Sequence, residues 1–209
     1  MANNEKIGIL GAGGMARETA AYSLGRVSFF AVNRQFMPDN SECFIDIENP
    51  DLNQAETGIV AALGAPAVRR AMVESWPGRE YANLIAQSAE IYTERLGKGV
   101  IIAPRAVVTT GVEIGDHTII NVDATVSHDC ILGDYVTVCP GAHIAGNVTL
   151  EDGVFIGIGA VVSNNIFIAS GTVVGAGAVV VKDITVPNSV VVGNPAKTVR
   201  VQDDWLKDV

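Results

Sequence analysis

The chain has 209 residues, of which 48% are apolar, and carries a net charge of −9 without any block of like charges. This charge argues against nucleic acid or an anionic membrane as the main partner, and no apolar run is long enough to predict a membrane span. Three cysteines without CxxC spacing fit a reducing compartment. The start, MANNEKIGIL, lacks the features of a signal peptide, so we expect a cytoplasmic protein.

Strand and helix patterns alternate in the first part of the chain. KIGILGAG is an apolar strand that enters a Gly-rich turn, and GMARETAAYSLG is helical. VSFFAVN and TGIVAALG are further strands, and APAVRRAMVESW is a second helix. The alternation predicts a small Rossmann-like α/β domain with ligands at the carboxyl ends of its parallel strands. We place it at residues 1–85, with PGREYANLIAQSAEIY as the connection to the second part of the chain.

The Gly-rich turn is a candidate phosphate site. Gly11, Gly13 and Ala16 match a loose dinucleotide fingerprint, in which glycines let the backbone approach a phosphate at a helix N-terminus. A dinucleotide also needs an acid after the second strand, where Asn33 and Arg34 stand instead. We therefore predict a nucleotide or nucleotide-sugar phosphate rather than NAD, with a tight turn that binds nothing as the alternative. The predicted binding residues of this edge are Gly11, Gly13, Gly14, Asn33, Arg34 and Gly64.

A six-residue repeat dominates the rest of the chain. Cut from Gly99, sixteen hexads carry Ile, Leu or Val at the fourth place, from Ile102 to Val192, without an insertion or deletion. The second place is a smaller inward residue, and the small fifth place suits the corners. Three hexads make a triangular coil, and stacked coils make an all-β parallel β-helix. We predict this β-helix over residues 86–209, ending in a tail, PAKTVRVQDDWLKDV, that forms a short helix.

The stretch VSHDCILGDYVTVCPGAHIAG crowds histidine and cysteine together, but the hexads separate them. Cys130 and Cys139 take packing places, and the other two histidines differ in hexad place from His128, so we predict neither a metal site nor a reactive thiol. His128 takes the outward sixth place, one coil below Gly146. An outward histidine beside a glycine amide suits a general base and an oxyanion site for acyl transfer. An incidental surface histidine is the alternative.

Several longer motifs carry a family resemblance. They are GAGGMARE, ALGAPAVRRAM, NLIAQSAEI, INVDATVSHDCILGDYVTVCPGAHIAGNVTL, GIGAVV and GAGAVVVKDI with VVGNPAK. The chain resembles the hexapeptide-repeat acyltransferases, in the branch of sialic acid O-acetyltransferases and nucleotide-sugar N-acetyltransferases. The resemblance implies a left-handed coil and a homotrimer with active sites between neighbouring coils. It also implies that acetyl-CoA lies along that groove and that the N-terminal domain holds the nucleotide of the acceptor.

The resemblance also implies roles for single residues. His128 falls on the catalytic base, Asp129 on its acidic support, Asn121 on an asparagine near that histidine, and Gly146 on the oxyanion glycine. Because adjacent side chains on a strand diverge, we expect Asp129 to act through water or across a subunit boundary. Thr137 stands where many members have an acceptor-contacting histidine, so we predict that it contacts the acceptor; Ala86 replaces another family histidine. The predicted acetyl-CoA residues are Gly157, Gly175, Lys182, Pro195, Lys197 and Arg200.

The combined expectation is an acetyl-CoA-dependent acetyltransferase. It would act on the amino group of a nucleotide-linked amino sugar by direct attack, with His128 as base. Two alternatives stay open: a sugar O-acetyltransferase, and a non-catalytic trimeric scaffold that binds a nucleotide or CoA. The departures from the family pattern at Asn33, Arg34, Ala86 and Thr137 all fall on the acceptor side.

Overall fold

The N-terminal part is a parallel α/β sheet in a computed structural model that describes residues 6–38, 42–51, 54, 56–78 and 80–208. Its elements are β1 (Ile7–Leu10), α1 (Gly14–Tyr22), β2 (Val27–Val32), a 3-10 helix (Arg34–Phe36), β3 (Phe44–Asp46), β4 (Ile59–Ala61) and α2 (Pro66–Ser75). All strand pairs are parallel, in the order β3-β2-β1-β4. The predicted α/β architecture is confirmed, and β3 adds a strand that the sequence did not indicate.

The C-terminal part is a parallel β-helix of two-residue strands. Its first face contains β7 (Ile101–Ile102), β10 (Ile119–Ile120), β13 (Thr137–Val138), β16 (Phe155–Ile156) and β19 (Val173–Val174). Its second face contains β8 (Val107–Val108), β11 (Thr125–Val126), β14 (His143–Ile144), β17 (Val161–Val162) and β20 (Val179–Val180). Its third face contains β9 (Glu113–Ile114), β12 (Ile131–Leu132), β15 (Thr149–Leu150) and β18 (Phe167–Ile168). Partners along these faces lie 18 residues apart, as the hexads predict.

The hexad core is confirmed, but the corner lies at a different place than predicted. Fourth-place side chains are buried from Ile102 to Val180, together with those of the second place. In every hexad from Gly99 to the one that starts at Gly177, the first residue has a positive φ, which turns the chain. The fifth place is small for another reason: a Cβ on Gly157 would lie 2.6 Å from the Val174 carbonyl oxygen of the next coil.

The repeat loses its register at both ends of the coil. The predicted connection forms β5 (Leu84–Ile85) and β6 (Glu90–Ile91), which join the first and second faces with a spacing of 17 rather than 18 residues. At the other end Val173 pairs with Val190, and Val186 and Val192 are 54% and 42% exposed. The prediction of unbroken hexads to Val192 is therefore wrong, because the chain slips by a residue or more after the fourteenth hexad.

The tail forms a strand rather than the predicted helix. After β21 (Ser189–Val192), the segment β22 (Lys197–Val201) pairs with it antiparallel, and bends come after β22. The alternating Lys197-Thr-Val-Arg-Val pattern fits this strand, because a period of two is typical of extended chain.

The two parts share an apolar cluster that is separate from the core inside the coil. Ile101 and Ile119 of the first face pack in a cluster with Ile7 and Ile9 of β1. The N-terminal sheet therefore lies against the first face of the lower coils, which are those that come first in the chain. It leaves the first face of the later, upper coils uncovered. The domain boundary after residue 85 stays a prediction, and β5 is the first strand of the coil. No helix within the described ranges is long and apolar enough to cross a membrane.

Candidate functional site

His128 lies on the second edge of the coil, between the second and third faces. It follows β11, and its side chain is 58% exposed, as the sixth hexad place predicts. Its Nδ1 lies 2.9 Å from Asp129 Oδ2, and Nε2, which has no hydrogen-bond partner among the described residues, can take up a proton. An imidazole held at one nitrogen by a carboxylate has a defined tautomer, with Nδ1–H donating to the acid.

Asp129 contacts its neighbour directly, so the expected divergence of the two side chains is wrong. Asp129 takes the first hexad place and has a φ of 59°. The left-handed corner turns the chain between the two residues, whereas the expectation assumed an extended strand. The Asp129 amide donates to the Thr110 carbonyl one coil below, at 3.0 Å, and this bond holds the corner.

Gly146 lies directly against the His128 ring. A Cβ at Gly146 would come within 2.6 Å of both Cε1 and Nε2, so only glycine leaves room for the imidazole in this position. The coil therefore stacks the two predicted residues as the 18-residue spacing requires. This contact also places the Gly146 backbone beside the nitrogen that is free to act as a base.

The Gly146 amide has no hydrogen-bond partner among the described residues. The amides of sixth-place residues do not take part in the backbone hydrogen bonds between coils. On the third edge, which lies between the third and first faces, side chains accept from these amides instead. There the amides of Lys98, Asp116 and Asp134 each donate to the carboxylate one coil above, at 2.7 to 2.8 Å. Glycine and asparagine replace these aspartates on the second edge, so the Gly146 N–H remains available to an oxyanion.

Asn121 lies on another edge of the same chain. It follows β10, between the first and second faces, and its Oδ1 accepts a hydrogen bond from the Val122 amide at 2.9 Å. Asn121 and His128 therefore lie at opposite ends of the second face. In the predicted trimer, Asn121 of one chain would lie beside His128 of a neighbouring chain.

An open pocket of about 430 Å³ lies beside Asn121 on the upper coils of the first face. Phe155 and Val173 of that face line it, and the Gly64 loop of the N-terminal part closes its lower end. The remaining lining residues are Asn121, Thr137, Cys139, Pro140, Gly157, Ile158, Ala176, Leu206 and Asp208. The walls are mostly apolar with a few polar groups, which is typical of a small-molecule site.

Thr137 joins the coil to the N-terminal part. It is buried, its hydroxyl donates to the Gly64 carbonyl at 2.9 Å, and it accepts from Arg69 Nη2 at 2.9 Å. Both functions of the hydroxyl are therefore occupied within the chain. Its role as a direct acceptor contact stays a prediction, while its structural role in holding Gly64 is plain.

Arg69 of α2 is a functional candidate that the sequence reasoning missed. It is fully buried and donates to the carbonyls of His117 and Tyr135 in the coil and of Leu63 and Gly64 after β4, at 2.5 to 3.2 Å. Burial lowers the pKa of the guanidinium to about 9, yet it stays charged at neutral pH. Arg69 therefore fixes the loop at the end of the sheet against the pocket.

The predicted nucleotide residues meet at the carboxyl edge of the sheet. Gly11 has a φ of 101° and its amide donates to the Ala31 carbonyl at the end of β2, which brings the turn beside Asn33. Gly13 and Gly14 are exposed and have open space where a Cβ would lie. Gly13 supplies no side-chain cap to α1, so the first amides of the helix remain available to a phosphate.

The other two predicted residues of that edge, Arg34 and Gly64, lie in different surroundings. Arg34 is exposed in the 3-10 helix that follows β2, so its charge can reach a ligand on the sheet edge. Gly64 follows β4 and lines the pocket described above. The Leu63–Gly64 loop therefore lies between the sheet edge and the pocket, since a Cβ at Gly11 would contact Leu63 and Gly64 lines the pocket.

The predicted acetyl-CoA residues fall on two edges and the top of the coil. Gly157 and Gly175 lie on the first edge, between the first and second faces. A side chain at Gly157 would meet the backbone of the next coil, and one at Gly175 would meet Val192, so packing alone requires glycine at both positions. Lys182 is exposed on the second edge, two coils above Gly146. Pro195, Lys197 and Arg200 are exposed around β22. Their roles stay predictions.

Cys130 and Cys139, which lie close to His128 in the sequence, are buried packing residues. Cys130 donates to the Ala145 carbonyl at 3.1 Å, and burial raises the pKa of its thiol. Burial also raises the pKa of the Cys139 thiol to about 12, which is unfavourable for a nucleophile. Within the described ranges, no three His, Cys, Asp or Glu side chains come together as metal ligands.

Comparisons with known proteins identify relatives of the same fold. Residues 111–146 match the family model for bacterial transferase hexapeptide (six repeats). The acetyltransferase domain of PglB from Neisseria gonorrhoeae FA1090 is 30% identical, with a TM-score of 0.80 over 93% of this chain and 100% of that domain. Its structure with acetyl coenzyme A has a TM-score of 0.81, at 30% identity, over 94% and 100% of the two chains.

Two further relatives have the same fold over nearly the whole chain. WeeI from Acinetobacter baumannii AYE is 27% identical, with a TM-score of 0.80 over 93% of this chain and 100% of that one. A histidine-to-asparagine mutant of perosamine N-acetyltransferase from Caulobacter crescentus, in complex with CoA and GDP-perosamine, is 28% identical. Its TM-score is 0.80 over 92% and 96% of the two chains. No curated protein sequence matches.

Proposed function

The chain belongs to the hexapeptide-repeat acetyltransferases, and we propose that it acetylates the amino group of a nucleotide-linked amino sugar with acetyl-CoA. The observation that carries the proposal is the arrangement of His128 on the second edge. The ring has one nitrogen bound to Asp129 and the other free, beside an amide of Gly146 without a partner among the described residues. A base and an oxyanion donor a few ångströms apart are what acyl transfer needs.

The proposed reaction is a direct transfer. The sugar amine attacks the thioester carbonyl of acetyl-CoA, and His128 Nε2 accepts the proton that the nitrogen loses. Asp129 stabilises the imidazolium through its bond to Nδ1, and the Gly146 N–H donates to the oxyanion. Collapse of the intermediate breaks the carbon–sulfur bond, and the imidazolium returns its proton to the CoA thiolate. The buried thiols of Cys130 and Cys139 have no place in this sequence.

We propose that the acceptor lies across the sheet edge and the pocket. Its nucleotide phosphates would bind the free amides at the start of α1, beside Gly13 and Gly14. The sugar would then reach past Gly64 into the pocket beside Asn121. In the proposed homotrimer, the second edge of a neighbouring chain brings His128 to this pocket, and acetyl-CoA lies between the two coils.

A thiol-release assay tests the proposal. Wild-type protein and acetyl-CoA are incubated with a panel of UDP-, dTDP- and GDP-linked amino sugars, with the matching hydroxy sugars in parallel. We expect CoA release with an amino sugar and not with its hydroxy counterpart. Release only with hydroxy sugars would replace the proposal with O-acetylation. Acetyl-CoA binding without release on any acceptor would favour a non-catalytic scaffold.

A further inference from the structure

The last described residues form a strap that returns to the N-terminal part. This C-terminal strap consists of residues 203–208, which follow β22. The Trp205 ring lies against bare backbone on the third edge, because a Cβ at Gly153 or Gly171 would come within 2.5 Å of it. The Arg70 guanidinium lies 4.1 Å from the centroid of the same ring and 3.6 Å from Asp204. The strap is thus seated on both parts of the molecule.

The strap also caps helix α2. The first amides of a helix lack partners within it, and Pro66 at its start has no N–H to offer. The Ala67 N–H donates to the Leu206 carbonyl at 3.2 Å, so the strap takes the first amide that is available. This bond holds Leu206 next to the helix that carries the buried Arg69.

Beyond this bond the strap lines the apolar pocket. Leu206 and Asp208 lie on the wall of the pocket that also contains Gly64, Asn121 and Gly157. Asp208 is the one lining residue among those described whose side chain carries a formal charge at neutral pH. A single carboxylate at an apolar pocket favours a cationic guest over an anionic one, because the neighbouring walls offer no compensating charge.

We propose that the C-terminal strap is the acceptor-selecting wall of the site, which rests on the proposed function. Leu206 packs against the apolar face of the amino sugar ring. Asp208 attracts the protonated amine on entry and repels sugars that carry a carboxylate. The strap thus selects neutral amino hexoses over amino uronic acids. It acts on the acceptor rather than on acetyl-CoA, because Leu206 and Asp204 join it to α2 of the N-terminal part, which holds the acceptor's nucleotide in the proposed function.

Steady-state kinetics with the best acceptor of the panel test this assignment. L206A is expected to raise the acceptor KM about 3- to 10-fold, the range for one apolar contact, and D208N about 2- to 5-fold, the range for one exposed charge pair. The KM for acetyl-CoA should not change. D208N should also narrow the preference for a neutral amino sugar over its carboxylate analogue by a similar factor. E94Q is the control, since Glu94 is an exposed carboxylate that belongs to neither the strap nor the pocket.

The outcomes separate the two proposals. An active wild type whose acceptor KM and acceptor preference are unchanged in both L206A and D208N would overturn the strap assignment alone. A change confined to the acetyl-CoA KM would overturn it too, by placing the strap on the donor side. A wild type that releases no CoA with any amino sugar would overturn both. Thermal unfolding of each variant identifies a loss that comes from misfolding.

Discussion

Two histidines of the same coil have opposite environments. His128 on the second edge is exposed, contacts a carboxylate and lies beside the Gly146 amide, which has no partner in the described part of the chain. His117 on the third edge is 5% exposed and lies between the rings of Tyr81 and Tyr135, at 4.6 and 5.1 Å. Its Nδ1 has no partner among the described residues, and burial lowers its pKa to about 4.

The difference comes from what covers each edge rather than from the coil. The N-terminal part and Arg69 lie against the third edge, and the carbonyl of His117 accepts from Arg69 Nε at 2.9 Å. The second edge has no such cover in the described chain, so its sixth-place residue remains accessible. A histidine on a β-helix edge therefore becomes a base or a packing residue according to its neighbours, and four experiments test this contrast.

Removal of the exposed base should have the largest effect. H128A is expected to lower kcat about 10²–10⁴-fold, the usual contribution of a positioned general base, without loss of thermal stability. H128N is the matched variant, because it keeps a polar side chain of similar reach that cannot accept the proton. CoA release at the wild-type rate in H128A would contradict the proposed mechanism.

Displacement of the ring should cost nearly as much. G146A keeps the amide but places a methyl group 2.6 Å from the His128 ring, so the imidazole must leave its position. We expect a loss of about 10²–10³-fold in kcat, comparable with removal of an oxyanion donor. N164A, an exposed residue one coil above Gly146, is the control and should retain activity. Full activity in G146A would mean that the stacked geometry is not the reactive one.

The buried histidine should affect stability instead of turnover. Its pKa is about 4 in the folded chain and about 6.5 unfolded, so the unfolded state takes up the proton first as the pH falls. Its contribution is complete above about pH 6.5 and is lost towards pH 4, by roughly 3 kcal/mol at most. H117N keeps a residue that tolerates the left-handed corner and should flatten this dependence. Urea unfolding across this pH range, with wild type and H117N in parallel, measures it; identical slopes would contradict the assignment.

The smallest effect is expected from the acid beside the base. His128 and Asp129 are 58% and 63% exposed, and exposed ion pairs contribute little. D129N should therefore lower kcat less than about tenfold. Kinetics alongside D123N, an exposed first-place aspartate on another edge, measure this. A loss above a hundredfold would indicate that a neighbouring chain buries the pair.

The sequence predicts the β-helix well, because one rule is repeated. Fourth-place burial from Ile102 to Val180 needs only hydrophobic periodicity, and the contact of His128 with Gly146 follows from the same spacing. The rule fails where the spacing changes. Leu84 pairs with Ile101 at 17 residues, so the first coil is invisible to a six-residue register.

The rest of the site depends on contacts between distant segments. Arg69 makes hydrogen bonds to residues up to 68 positions away, and no local pattern encodes them. One signal was present: Arg69 and Val73 are four residues apart and share the buried face of α2, in line with the buried Ala65 that caps it. Arginine on such a face indicates a buried charge. The strap offered no signal, since its position depends on Trp205 meeting glycines on two coils.

The core that joins β1 to Ile101 and Ile119 bears on how this protein can be re-engineered. In the sequence, the N-terminal α/β part and the β-helix look like separate domains. This suggests that N-terminal domains could be exchanged between relatives to change the acceptor. A transferred N-terminal domain would also need its contacts on the coil. These are the outward residues of the first face, the segments whose carbonyls accept from Arg69, and the strap that caps α2. The N-terminal domain should therefore be exchanged together with these contact residues of the coil and strap. We expect chimaeras joined at the connection alone to misfold, and chimaeras that also carry the contact residues to fold.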